Sequence, residues 1–92
     1  MMSEKEFTDM AAELRVAAVR SAAAAGIGVE GAEDVAQDIM LRLWTLRDNI
    51  SSARHARGLA VVAARNRALD MLRQSHTVSL TTGVAVVQPS AA

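Results

Sequence analysis

Ala32-Glu33-Asp34-Val35-Ala36-Gln37-Asp38-Ile39-Met40-Leu41-Arg42-Leu43-Trp44 sets aliphatic residues at intervals of three and four, the period of an amphipathic helix. At 100° per residue, Val35, Ala36, Ile39 and Leu43 fall on one side, and Leu46 extends that stripe. Asp34, Gln37, Asp38 and Leu41 form a strip on the far side, bordered by Trp44. The helix is predicted to start near Gly31 or Ala32, with Glu33 and Asp34 complementing the positive end of its dipole, and to reach about Arg47. A leucine flanked by carboxylates and an amide has the composition of a protein-docking surface, an apolar centre with a polar rim. The same pattern also suits an ordinary solvated face with one incidentally exposed leucine.

Working outward, Ser3-Glu4-Lys5-Glu6 reads as a capping box that opens a first helix running to about Ala25. Phe7, Met10, Ala11, Leu14, Ala18 and Ala25 share one face of it. Gly26-Ile27-Gly28 ends it, because glycine tolerates the left-handed geometry beyond a helix terminus. Asp48 to Ser52 breaks the pattern, with Ser51 and Ser52 as N-cap candidates for a third helix over about 53–74. Gly58 sits inside that helix at a cost of about 1 kcal/mol relative to alanine. After Ser75 the helical pattern stops, and 77–92 carries no charge. The expected architecture is all-α: a compact bundle of three main helices over 3–74, followed by a linker or flexible C-terminal tail over 75–92.

Composition agrees. The chain has 92 residues, enough for one small domain. Hydrophobic residues make up 51%, much of it alanine, while Phe7 and Trp44 are the sole aromatics. That points to closely packed helices. The absence of cysteine excludes disulfides and thiolate metal sites. No signal core or membrane-length apolar run is present, so a cytoplasmic location is expected.

Ten acidic and ten basic residues give zero net charge, which argues against autonomous tight DNA binding. The charges are nevertheless segregated. Four acids and no base lie between Glu30 and Asp38, whereas five arginines and one acid lie between Arg54 and Arg73. On the third helix, Arg54, Arg57, Arg65, Arg67 and Arg73 suit phosphate or base contact. The plainer account makes Asp70 and Arg73 an i, i+3 surface pair. His55 and His76 have no partners at metal-ligand spacing, so neither a metal nor another cofactor is expected. Gly26 to Gly31 imitates a dinucleotide fingerprint, but it follows a helix instead of a strand. No enzyme is indicated.

Two stretches carry a more specific signal. Residues 32–44 closely resemble the "AED-hydrophobic-x-Q-acid…L-x-L-W" signature of region two in extracytoplasmic-function sigma factors, members of the sigma-70 family. Ala63-Ala64-Arg65-Asn66-Arg67-Ala68-Leu69-Asp70-Met71-Leu72-Arg73 resembles the "A-R-N-x-A-L-D-x-L-R" helix of the same family, in the same order and spacing. Val78-Ser79-Leu80 is similar to the start of its interdomain linker. The resemblance spans about residues 5–80 and is strongest from Ala32 onward.

The resemblance implies a transcription initiation factor domain. Docking on the clamp helices of the RNA polymerase beta-prime subunit falls to Asp34, Gln37, Asp38 and Leu41. Capture of the non-template strand of the promoter minus-ten element falls to Asn49, Ser51, Ser52, Arg54, Arg57, Arg65, Asn66 and Arg67. The chain departs from the family in reading Gly58-Leu59 where Trp-Leu is common, and in having no aromatic residue near the DNA-facing stretch. The domain that reads the minus-thirty-five element is missing from the sequence, so an excised piece of a longer factor is expected. The alternative is a sigma-like helical interaction module without promoter reading, controlled by an anti-sigma factor. A generic helix-turn-helix module fits less well, since no compact turn precedes the third helix.

Overall fold

The computed structural model describes residues 2–84, with side-chain environments through residue 74. Four helices make up the domain: α1 (Glu4–Asp9), α2 (Ala11–Ala24), α3 (Val29–Thr45) and α4 (Ala53–Val84). A single 3-10 turn, Arg47–Asn49, lies between α3 and α4. No strand forms among the described residues.

The predicted capping box forms. The Glu6 amide donates to Ser3 Oγ at 3.1 Å, and the Ser3 amide donates to Glu6 Oε1 at 2.9 Å. The bond from the Ser3 backbone, then that from its side chain, holds the Glu6 carboxyl below the ordinary glutamate value. This contribution is present above the usual carboxylate range and is lost as pH falls through the lowered value.

The expected first helix is broken at Met10, where φ is −109° and ψ 11°, so α1 and α2 are separate. Tertiary contacts explain the break. It turns α1 over the end of α3, where the Phe7 ring meets Trp44 edge-on at 5.4 Å. The Met2 amide donates to the Arg47 carbonyl at 3.1 Å. Met2, Phe7 and Met10 are all buried there. A straight helix follows local propensity but cannot make those contacts.

Gly26, at φ 111°, closes α2 in the left-handed region as expected. Helix α3 then begins at Val29, earlier than the predicted Gly31 or Ala32. Gly28 acts as N-cap, its carbonyl accepting from the Ala32 amide at 2.8 Å. Val35, Ala36, Ile39 and Leu43 are buried as predicted. Leu46 is not; it is 49% exposed because the α-helix has ended at Thr45 and the chain tightens into the 3-10 turn. Ile50, on the far side of that turn, fills the core instead at 1% exposure.

Helix α4 packs against both α2 and α3. Among its described side chains it buries Ala56, Ala60, Ala64 and Ala68, spaced by four, while Val61, Val62 and Leu72 remain exposed. The alanine face lets backbones approach closely. Ser21 Oγ of α2 donates directly to the Val61 carbonyl of α4 at 2.6 Å. The helix also continues to Val84, ten residues past the predicted end at Gln74. No proline occurs before Pro89, so nothing in that stretch forces a stop. The last part of the expected tail, 85–92, lies outside the described residues.

A candidate docking ridge and nucleic-acid face

Burying the aliphatic side of α3 against α2 and α4 turns its other side outward. Asp34 and Gln37 are exposed, Asp38 is half-buried, and Leu41 is 63% exposed. The four residues anticipated as a strip therefore do lie together on one accessible ridge. Leu41 and Leu46 also line a shallow groove of about 330 Å³ with Arg42 and Thr45. Leu46, read as core in the sequence, thus extends the apolar part of the ridge.

Trp44 borders this ridge but is engaged internally. The Arg47 guanidinium lies 4.0 Å from its ring centroid, and Phe7 meets its ring edge-on. Arg47 also donates to the Trp44 carbonyl at 2.9 Å and pairs with Glu4 at 3.7 Å. The tryptophan ties α1 to the end of α3, a contact that helical periodicity does not reveal.

Asp38 is the electrostatic centre of the ridge. Its Oδ2 lies 3.4 Å from Arg42 Nε and 3.8 Å from Arg67 Nε. The side chain as a whole is 40% exposed, yet this oxygen is shielded from solvent and accepts no hydrogen bond. Both guanidiniums are close enough for charge attraction but too distant or poorly aligned to donate. That oxygen is held by charge alone and faces the two arginines, so a partner molecule can reach this carboxylate only through its other oxygen.

The residues assigned to DNA divide into three groups. Asn49 lies in the 3-10 turn. Ser51 and Ser52 follow it and organise the start of α4: Ser52 Oγ accepts from the His55 amide at 3.1 Å, while the Ser51 amide donates to His55 Nδ1 at 3.1 Å. The imidazole nitrogen must therefore be unprotonated in this arrangement. Ser52→Ala is expected to cost about 1 kcal/mol, the usual value of an N-cap. A thermal melt showing no loss would remove Ser52 from that role.

The remaining groups lie along α4. Arg54 is exposed near its start. Arg65 and Arg67 diverge by about 200° round the helix. Arg65 lines a cleft with α2, whereas Arg67 faces Asp38 on α3. Asn66 is exposed between them. The anticipated DNA set is thus not one contiguous face. Arg57 is paired with Glu13 across the α2–α4 boundary, and Arg73 pairs with Asp70 as the plainer sequence account anticipated.

Arg20 on α2 was not singled out in the sequence. It lines the same cleft as Arg65. Only packing reveals this neighbour, because the two arginines are 45 positions apart. No helix among the described residues is long and apolar enough to cross a membrane.

No curated protein and no solved structure matches the chain. The family model described as Sigma-70 region 2 matches residues 7–77, a stretch that includes both motifs and the outward ridge of α3. Domains of this family serve in RNA polymerase binding and promoter recognition and are not an enzyme family. Helical architecture, paired motifs and the match over most of its length place the chain in the sigma-70 region 2 family.

Proposed function

We propose that this domain is of the extracytoplasmic-function type and docks on the clamp helices of the polymerase beta-prime subunit through Asp34, Gln37, Asp38 and Leu41. The carrying observation is the outward ridge of α3, where the exposed Asp34 and Gln37 and the half-buried Asp38 sit beside an exposed leucine. Guanidinium groups on the partner would give charge-assisted hydrogen bonds to Asp34 and Asp38, with Gln37 adding a neutral donor and acceptor. Leu41 supplies apolar contact inside that polar rim. The site of action is cytoplasmic, where the polymerase works.

Asn49, Ser51, Ser52 and the exposed side of α4 then meet the non-template strand of the minus-ten element as it opens. Arg54 and Arg65 have no ion-pair partner among the described residues and can meet phosphates directly. Arg57 is held in a partly exposed ion pair, worth roughly 0–1 kcal/mol, which can be exchanged for phosphate at little cost, whereas Arg67 faces Asp38 on another side of α4 and would meet a different part of the strand from Arg65.

Asp34 makes no ion pair among the described residues and is exposed, which gives a clean test. Asp34→Arg is expected to weaken binding to a beta-prime clamp-helix fragment by tenfold or more, with the melting temperature unchanged. Unaltered affinity would sink the docking assignment.

The charge balance and the two pre-paired arginines favour a second reading, a sigma-like interaction module bound by an anti-sigma factor and lacking promoter reading. Binding of single-stranded minus-ten oligonucleotides in the presence of polymerase core separates the two. Sequence preference supports promoter reading, and its absence supports the interaction module.

A further inference from the structure

Among the described residues, Arg20, Arg54 and Arg65 are the arginines that lack a carboxylate partner, while every other arginine is paired. Arg20 and Arg65 stand on different helices but line one open cleft of about 460 Å³ between α2 and α4. Ala17, Ala24 and Val61 supply small or apolar surface there, so a ligand atom can approach without displacing bulky side chains.

The cleft is held by a specific lock. Ser21, the neighbour of Arg20, donates through its hydroxyl to the carbonyl of Val61, one helical turn before Arg65. Both guanidiniums are therefore rooted next to the point where the helices are pinned. Neither arginine has an ion-pair partner among the described residues and no carboxylate lines this cleft, although Arg20 also borders neighbouring grooves lined by Glu13 and Glu33. An anion placed between the two arginines would therefore meet net positive charge. Guanidinium forks match phosphate oxygens in shape as well as charge.

Arg54 belongs to the same flank. Arg54, Gly58, Val61 and Arg65 follow one another at intervals of four, three and four, so they form a strip along α4. Its ends are separated by about 16 Å at 1.5 Å per residue. A methyl group added at Gly58 would meet nothing within 4 Å, so the track between the arginines is open.

We propose that Arg20 and Arg65 clamp a backbone phosphate of promoter DNA, on a phosphate track that begins at Arg54. The proposal deepens the promoter-binding reading and rests on it. It adds α2, through Arg20, to the DNA-contacting part of the domain. A contact to the backbone positions the strand and carries no sequence information itself.

The test is a salt titration of promoter-fragment binding by the chain assembled with polymerase core, between 50 and 200 mM salt. Arg20→Gln is expected to make the slope of log affinity against log salt shallower by about 0.7–0.9, the value of one phosphate contact. The preference for promoter over scrambled sequence should be retained. Arg20→Lys, which keeps the charge, should retain most of the slope. Arg15→Gln removes a charge from the same helix at a residue paired with Glu33, and should leave the slope as it was.

A parent complex that binds promoter DNA while Arg20→Gln keeps its full slope would overturn the clamp alone. So would an equal change with Arg15→Gln, which would reduce the effect to general charge. Failure of the parent complex to bind promoter DNA would overturn the promoter-binding reading and the clamp with it. If Arg20→Gln weakens binding of poly-glutamate but leaves the DNA slope intact, the cleft serves an acidic protein segment and the proposal fails.

Discussion

Asp38→Arg is expected to reduce affinity for the beta-prime clamp helices by about 100-fold or more, the largest effect of any single change on the ridge. Losing one partner of an interfacial charge pair commonly costs 2–5 kcal/mol, and about 2.8 kcal/mol is a 100-fold loss. Here the substituent also reverses sign, so a guanidinium would face the guanidiniums proposed on the partner. The internal consequence is smaller. Asp38 lies within 3.4 Å of Arg42 and 3.8 Å of Arg67, and the substitution brings a third positive group beside them. Partly exposed pairs of this kind are worth at most about 1 kcal/mol each, so the loss of each pair should lower the melting temperature by at most about 4–8 °C. Isothermal titration with the clamp-helix fragment, alongside a melt, separates the two effects. Parental affinity in the variant would remove Asp38 from the docking surface.

Ala64→Leu is expected to be the most damaging change to stability. Ala64 is fully buried on the face where α4 packs on α2 and α3, so a leucine there must push neighbouring groups aside. Overpacking of a close-packed core costs about 1–3 kcal/mol, and the hydrogen bond from the Ser21 hydroxyl to the Val61 carbonyl, which ties α2 to α4 three residues before Ala64, places this site at the upper end. For a domain of this size, about 3 kcal/mol lowers the melting temperature by roughly 12–24 °C. Val62→Ala, on the exposed side of the same helix, should change stability by less than about 0.5 kcal/mol. A melt in which Ala64→Leu matches the parent would show that α4 does not sit as close to its neighbours as its alanine face requires.

The ridge was readable before the structure because helical periodicity maps directly onto faces. Once Val35, Ile39 and Leu43 are inside, Asp34, Gln37, Asp38 and Leu41 must be outside. The alanine face of α4 was harder to see. Hydrophobicity ranks Val61, Val62 and Leu72 above Ala60 and Ala64, yet close helix packing selects for small size and leaves the larger residues exposed. Leu46 was misread for a related reason: a stripe extrapolated at 100° per residue fails where the helix tightens into a 3-10 turn.

Local chemistry in the chain was sufficient to determine the α-helical class, the Ser3 cap, the Gly26 terminus and the polarity of α3, because each depends on neighbours within about one or two turns. Tertiary structure alone decided the break at Met10, the wedging of Trp44 between Phe7 and Arg47, the sharing of Asp38 by Arg42 and Arg67, and the meeting of Arg20 with Arg65. These features join distant positions or yield to such contacts, and periodicity along one helix carries no information about the distance to another.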